Sequence, residues 1–389
     1  MKKNIIAYLL AVLSVVCIPF VLSGCGNAPI EGDETQETAE GYSDESAGNM
    51  NCVIICSNHA NAEISFGGIG KYVRGAKEAE GYLATVRLDG EPECVSEYDT
   101  EKQHNNSKRI KKENDEFVST TMDEIENVNA ESKEIDIVAA VKEANKCLDG
   151  ANNSELENVV VIIGNGLSTK GIIDLSENDL ASTDLSDYAS WINKSGQISE
   201  FDNIDKIVWC GFEETASPQK EFTTDALVEK LKNFYKKVFG TAGIGEIEFD
   251  DSVGGANEPS ENLPSVSVVK MPPKPKYQAG DTVSLSGKDS GIRFRGDSAV
   301  ISKGNKKIKD IASSIKNGDN PKVTIIGYTA NHDTDAYGGN KGLGKARAKA
   351  VKKVLVSLGC PAKNISIKYG GKKNSGDDDA DRCVEVEFE

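Results

Sequence analysis

"GLGKARAKAVKKVLVSLG", residues 342–359, decides how the C-terminal part of this chain folds. At about 100° per residue, Leu343, Val351, Val354 and Leu358 fall on one stripe of a helix. Lys345, Lys349, Lys352 and Lys353 gather on the opposite side, so the segment predicts an amphipathic helix with a solvated lysine face. Arg347 breaks the pattern. It lies four residues after Leu343 and four before Val351, inside the apolar stripe. A guanidinium aimed at a core is costly unless an anion meets it.

The flanks extend the reading. Strand "KVTIIGYT" (322–329) and the polar loop "ANHDTDAYGGN" precede the helix. Strand "NISIKYG" (364–370), a Gly/Lys/Asp loop and strand "RCVEVEF" (382–388) follow it. Upstream, "KGNKKIKDIASSIK" puts Ile308, Ile311 and Ile315 in helical register, and "DTVSLSGKDSGIRFRGDSAVI" opens the module. A small α+β domain over 284–389 is expected. Residues 251–283 form a linker: five of the eleven prolines fall in 251–280, which predicts a semi-stiff segment.

Residues 51–250 alternate strands with helices. "CVIIC" (52–56), "GYLATVRLDG" (81–90), "VVVIIGNG" (159–166) and "KIVWCGF" (206–212) read as strands. "IDIVAAVKEANKCL" (135–148) reads as a helix. So does "TTDALVEKLKNFYKKVFG" (223–240), with Leu227, Leu231, Phe234 and Val238 on one face and Gly240 closing it. The stretch 96–134 is polar and charge-mixed, without an assigned element. Alternation of this kind predicts an α/β domain on a parallel sheet.

The N-terminus, "MKKNIIAYLLAVLSVVCIPFVLSGC", has a basic start, an apolar core interrupted by Pro19 and small residues before Cys25, the pattern of an export signal over 1–24. Residues 25–50 are acidic and nearly free of bulky apolar side chains, which predicts a disordered tether. Formal net charge is −17 over 389 residues. From Asp281 onward 20 basic residues face 14 acidic ones, which leaves −25 on residues 25–280. That balance argues against nucleic acid as a partner. An odd seven cysteines remain once Cys17 and Cys25 are set aside, with no C-x-x-C spacing, and Cys56 and Cys210 read as small core residues.

Only three histidines are present, His59, His104 and His332, far apart in sequence. That argues against a histidine metal cluster and against Ser-His-Asp or Cys-His catalysis. No G-x-S-x-G elbow occurs. "GNGLSTKG" (164–171) follows a strand but matches neither the Walker spacing nor the dinucleotide fingerprint, so it reads as a turn after a core strand. No enzyme, cofactor or metal is expected.

Three resemblances give these segments a setting. Leu22-Ser23-Gly24-Cys25 resembles the lipobox of bacterial lipoprotein signal peptides, which implies that Cys25 becomes the acylated first residue; the alternative is an ordinary secretory signal. The middle region, in "VVVIIGNGLSTKG", "SWINKSGQ" and "KIVWCGFEETASPQKEFTTDALVEKLKNFYKKVFG", loosely resembles the von Willebrand factor A-like fold, a doubly wound sheet. That family holds a metal in a D-x-S-x-S motif after its first strand. Here the first strand ends "CSNHANAE", and Asn165 and Gly166 stand where a metal-site Asp-Gly is expected. The departure implies a metal-free binding or spacer module.

The C-terminal stretch "GYTANHDTDAYGGNKGLGKARAKAVKKVLVSLGCPAKNISIKYGG" resembles the OmpA-like peptidoglycan-binding domain of peptidoglycan-associated lipoproteins and MotB. Gly327, Tyr328 and Thr329 match its G-x-T-D element. Asn340, Leu343, Arg347 and Ala348 match N-x-x-L-S-x-x-R-A, and Asp381 to Val386 stand for the closing N-R-R-V-E-I. The resemblance implies that Arg347 takes a carboxylate of diaminopimelate in the wall peptide, with Thr329, Asn340 and Arg382 around it. The family's aspartate is Ala330 here and the second closing arginine is Cys383. Asp333 or Asp335, on a longer loop, could meet the ligand's ammonium. The alternative for Arg347 is an internal carboxylate such as Glu385.

The expectation is therefore an extracytoplasmic lipoprotein that tethers a membrane to peptidoglycan. The competing reading makes the middle domain an adhesin or receptor for a protein partner, with the C-terminal domain a degenerate scaffold.

Overall fold

A computed structural model of the chain describes residues 46–389 apart from 63, 152, 179, 181–182, 251–255, 258–261, 287–291, 302–305 and 320–321. The export signal, Cys25 and the tether up to residue 45 lie outside the described residues.

The middle domain is built on six strands: β1 (Met50–Cys56), β2 (Leu83–Arg87), β3 (Cys94–Tyr98), β4 (Glu157–Ile163), β5 (Lys206–Cys210) and β6 (Glu246–Asp250). Their order is β3-β2-β1-β4-β5-β6, all parallel except the antiparallel edge strand β3. Central strands are continuous apolar runs because helices cover both faces. Val53 and Ile55 of β1 face one core with Val160, Ile162, Ile207 and Trp209. Cys52, Ile54 and Cys56 face the other with Val159, Val161 and Cys210. Both Cys56 and Cys210 are fully buried, and burial pushes their thiol pKa values far up.

Helices α1 (Gly70–Ala79) and α2 (Ser107–Glu126) cover the second face; α3 (Ile137–Leu148), α4 (Leu185–Ser195) and α5 (Asp225–Thr241) cover the first. The sequence reading assigned neither α1 nor α2, because polar groups carry much of their packing. Arg74 and Lys77 of α1 are buried and pair with Asp115 at 2.8 Å and Glu113 at 2.9 Å on α2. Asn114 and Thr121 lie in the buried face of α2 beside Val118, Met122 and Ile125. Edge strand β6 was likewise missed: Glu246, Glu248 and Asp250 alternate with Ile247 and Phe249. Helix α5 buries the predicted Leu227, Leu231, Phe234 and Val238, but it runs through Gly240 to Thr241, and Gly243 makes the left-handed turn at φ +101°.

The segment expected as a semi-stiff linker is partly a strap. Ala60 donates to Pro264 O at 3.1 Å, and Asn61 exchanges two hydrogen bonds with Val266, 2.9 and 2.8 Å. Ser267 donates through its backbone N–H and its hydroxyl to Glu134, and Val269 N–H to the Gln219 amide oxygen, each at 2.8 Å. Val266 and Val269 are buried in the first core. Residues 264–269 therefore bridge the loops after β1 and β5 and the loop before α3, all at the C-terminal edge of the sheet.

The C-terminal domain has a second sheet, β7 (Thr282–Leu285), β8 (Val323–Ala330), β9 (Ile365–Lys373) and β10 (Val384–Phe388), in the order β7-β10-β8-β9. The pair β8/β9 is parallel and the others antiparallel. Helices α6 (Lys306–Asn317) and α7 (Asn340–Ser357) supply Ile308, Ile311, Ile315, Val351 and Leu355 to its core. Tyr277, inside the expected linker, packs on Phe388 with ring centroids 5.7 Å apart, so the domain starts earlier than its first strand. Helix α7 presses on β8 and β9 at two glycines. A Cβ on Gly327 would sit 1.9 Å from Gly344 O, and one on Gly344 would sit 2.4 Å from the Tyr369 ring.

Two substitutions test this architecture. Asn61→Ala should strand the buried N–H and C=O of Val266, at about 1–3 kcal/mol for each group, and speed amide exchange at Val266 and Val269. An unchanged urea midpoint would detach the strap from the fold. Gly327→Ala should force α7 off β8 and cost about 1–3 kcal/mol or more by overpacking, read as a lower urea midpoint.

Candidate functional site

The close contact of α7 with β8 carries Arg347 to the C-terminal end of the strand. Its side chain is 1% exposed. Nη1 donates to Tyr328 O at 2.8 Å, Nε to Ser298 O at 3.1 Å and Nη2 to Arg295 O at 3.4 Å. The guanidinium lies 5.3 Å from the Phe294 ring centroid, within range of a cation–π contact. Among the described residues no carboxylate comes within 4.0 Å of it. Glu385, the internal partner considered from sequence, is paired with Lys373 at 2.6 Å instead. Burial, then the nearby Arg382 charge, push the Arg347 pKa down to about 10, so it is still charged at neutral pH.

Arg347 opens on a cleft of about 230 Å³. All five residues expected from sequence border it: Thr329, Asp333, Asn340, Arg347 and Arg382. Thr329, 2% exposed, is the last residue but one of β8, with its hydroxyl 3.5 Å from the Tyr369 hydroxyl. Asn340, the first residue of α7, donates to Asp333 Oδ1 at 3.1 Å, while its own Oδ1 is buried with no hydrogen-bond partner among the described residues. Asp333 also accepts from Lys372, which holds its carboxyl below the usual range. Arg382 is held by Asp378 at 2.8 Å and Asp379 at 3.2 Å; Asp378 also meets His332 Nε2 at 3.1 Å. Arg382 is thereby neutralised, and Arg347 is not.

Ala330 lines the cleft with a methyl group where the resembled family has an aspartate. Asp335 is not among the lining residues, but Asp297 is, and sequence reasoning missed it. It follows Gly296 in a tight turn at φ +50°, a left-handed position that aspartate tolerates better than most residues. The Gly-Asp-Ser turn in "RFRGDSAV" was the available signal. Its carboxylate has no ion pair among the described residues. The cleft thus sets Arg347 and Arg382 against Asp297 and Asp333, a dipolar lining suited to a ligand that carries both charges.

The other sequence candidates are structural. "GNGLSTKG" spends its backbone on packing: Gly164 O accepts from Trp209 Nε1 at 2.8 Å and Gly166 O from the Tyr235 hydroxyl at 2.9 Å. His59 is buried, 2.9 Å from Leu88 O, and desolvation keeps its pKa below the ordinary histidine value. Among the described residues no cluster of three or more His, Cys, Asp or Glu side chains could hold a metal.

Comparison with known proteins places the C-terminal domain. The OmpA family matches residues 293–386. The peptidoglycan-associated lipoprotein from Burkholderia pseudomallei is 21% identical over 25% of this chain and 88% of its own, with a TM-score of 0.22. The OmpA-like domain of FopA1 from Francisella tularensis is 23% identical over 28% of this chain and 84% of its own, TM-score 0.22. The cell wall anchor of the T6SS from Pseudomonas aeruginosa is 21% identical over 27% of this chain and 78% of its own, TM-score 0.23. No curated protein matches the chain. Residues 293–386, with Arg347 and the cleft it opens on, belong to an OmpA family domain at the C-terminus of this chain.

Proposed function

We propose that this protein is a lipid-anchored envelope component that tethers a membrane to peptidoglycan through its C-terminal domain. One observation carries the reading: Arg347 is buried, charged and without a carboxylate partner among the described residues, at the wall of a cleft that also holds two aspartates. Three of its five N–H donors are spent on backbone carbonyls. The others are free for a ligand carboxylate, whose charge would offset the desolvation of the guanidinium. The diaminopimelate residue of a wall peptide offers that carboxylate together with an ammonium group. Asp297 would supply the counter-charge that Ala330 cannot, joined by Asp333 where the ligand's ammonium replaces Lys372. Thr329 and Asn340 shape the floor and mouth of the cleft, and Arg382 adds positive potential.

Attachment is assigned to acyl chains on Cys25, at about 0.8 kcal/mol per buried methylene. Among the described residues no helix is long and apolar enough to cross a membrane. The role is mechanical and has no catalytic step. The protein would stand outside the cytoplasm, with the middle domain between membrane and wall.

A second reading makes the middle domain the functional unit, a metal-free von Willebrand factor A-like module for a protein partner. The order β3-β2-β1-β4-β5-β6 with an antiparallel edge strand supports it.

Binding to purified sacculi tests the tether. Arg347→Lys should weaken retention at least about tenfold, because a point charge cannot replace a two-donor fork. Asp297→Asn and Asp333→Asn should each weaken it less, and Ala330→Asp should tighten it. Unchanged retention of Arg347→Lys, with an unchanged urea midpoint, would make the arginine structural and favour the second reading. Cys25→Ala should release the protein from membranes washed in high salt; continued fractionation with them would sink the lipid anchor.

A further inference from the structure

We infer that the middle domain carries a second binding site, a flat aromatic platform on α4 for an uncharged oligosaccharide. Trp191 is 55% exposed, a large aromatic residue left on the surface. It follows Tyr188 by three positions on α4, so the two rings are neighbours on one helical face. Their planes lie 22° apart at 6.0 Å, and Tyr188 in turn stacks on Phe234 at 5.5 Å and 25°. Three near-parallel rings therefore run from core to surface. The Tyr188 hydroxyl donates to Ile172 O at 2.7 Å, which locks the middle ring. A large apolar ring held rigidly in water gains nothing for the fold by its exposure, and it is a pre-organised contact for a ligand.

The platform borders a cavity of about 490 Å³, within the range of small-ligand sites. The chemistry of its rim selects the ligand. Asp174 Oδ1 is consumed by Ser176 N–H, Ser176 hydroxyl and Glu177 N–H. The Glu177 carboxylate, the Asn178 amide oxygen and the Gln197 amide have no hydrogen-bond partner among the described residues. No Lys, Arg or His is among the lining residues, and the carboxylates would repel an anion. Near-parallel rings present one flat face and do not wrap around a compact cation. A pyranose fits both features: its C–H face lies on the indole while its hydroxyls or acetamido N–H groups donate to an acceptor-rich rim.

The chain reports on this site directly. It has two tryptophans, and Trp209 is fully buried with its Nε1 bonded to Gly164 O. A solvent-sensitive change in emission is therefore assigned to Trp191. Titration of the full-length chain, held in detergent, with chitotetraose and cellotetraose should give a saturable blue shift and protection from acrylamide quenching with at least one of them. Asn178→Ala and Gln197→Ala should weaken that response about three- to tenfold while leaving Trp209 emission in place. Arg347→Lys should leave it untouched, which separates this site from the cleft of the C-terminal domain. No shift with either sugar would overturn the proposal. So would a shift produced by choline and by neither sugar, which would identify a cation site instead.

Discussion

The contact of helix α7 with strand β8, backbone on backbone at Gly327 and Gly344, is the constraint from which the C-terminal domain follows. Any side chain at either position would hold the two elements apart. Because they touch, the residue one turn beyond Gly344 reaches the end of the strand, and that residue is Arg347. Its Nη1 then finds Tyr328 O at 2.8 Å, and the turn through Arg295 and Ser298 closes over the other side. Of the lysines expected on the solvated face, Lys345, Lys349 and Lys353 are exposed, whereas Lys352 is half-buried and donates to Ala362 O and Ile365 O, because β9 passes within its reach.

The charge arrangement at the cleft has two parts with different consequences. Arg382 and Lys372 are neutralised by carboxylates at the protein's own expense, so they add shape and modest potential. Arg347 is held by carbonyl oxygens and the face of Phe294, with no carboxylate within 4.0 Å among the described residues. A buried cation in that state is stabilised by an incoming anion more than a paired one would be. Asp297 and Asp333 line the same cleft, Asp297 without an ion pair among the described residues and Asp333 bound to Lys372.

The middle domain places its own chemistry in two regions. At the C-terminal edge of the sheet, where doubly wound folds offer a crevice between oppositely running connections, the chain lays residues 264–269 across the loops. The same segment leads on to the C-terminal domain, so the sheet edge and the OmpA family domain are joined by an ordered strap along part of the linker. At α4, by contrast, an aromatic ladder ends in the open.

Much of this was legible in the sequence where one physical rule acted alone. Apolar runs bounded by turns marked β1, β4 and β5, helical periodicity marked α3, α5 and α7, and the intrusion of Arg347 into an apolar stripe marked the cleft. The matched motif positions also placed Thr329, Asn340 and Arg382 around it. Where polar groups replaced apolar ones in packing, periodicity failed: Arg74, Lys77 and Asn114 hid α1 and α2, and alternating acids hid β6. Tertiary structure alone decided that Asp297 borders the cleft, that Glu385 answers to Lys373, and that Val266 and Val269 belong to a core. Each depends on which segments distant in sequence become neighbours, and local spacing holds no record of that.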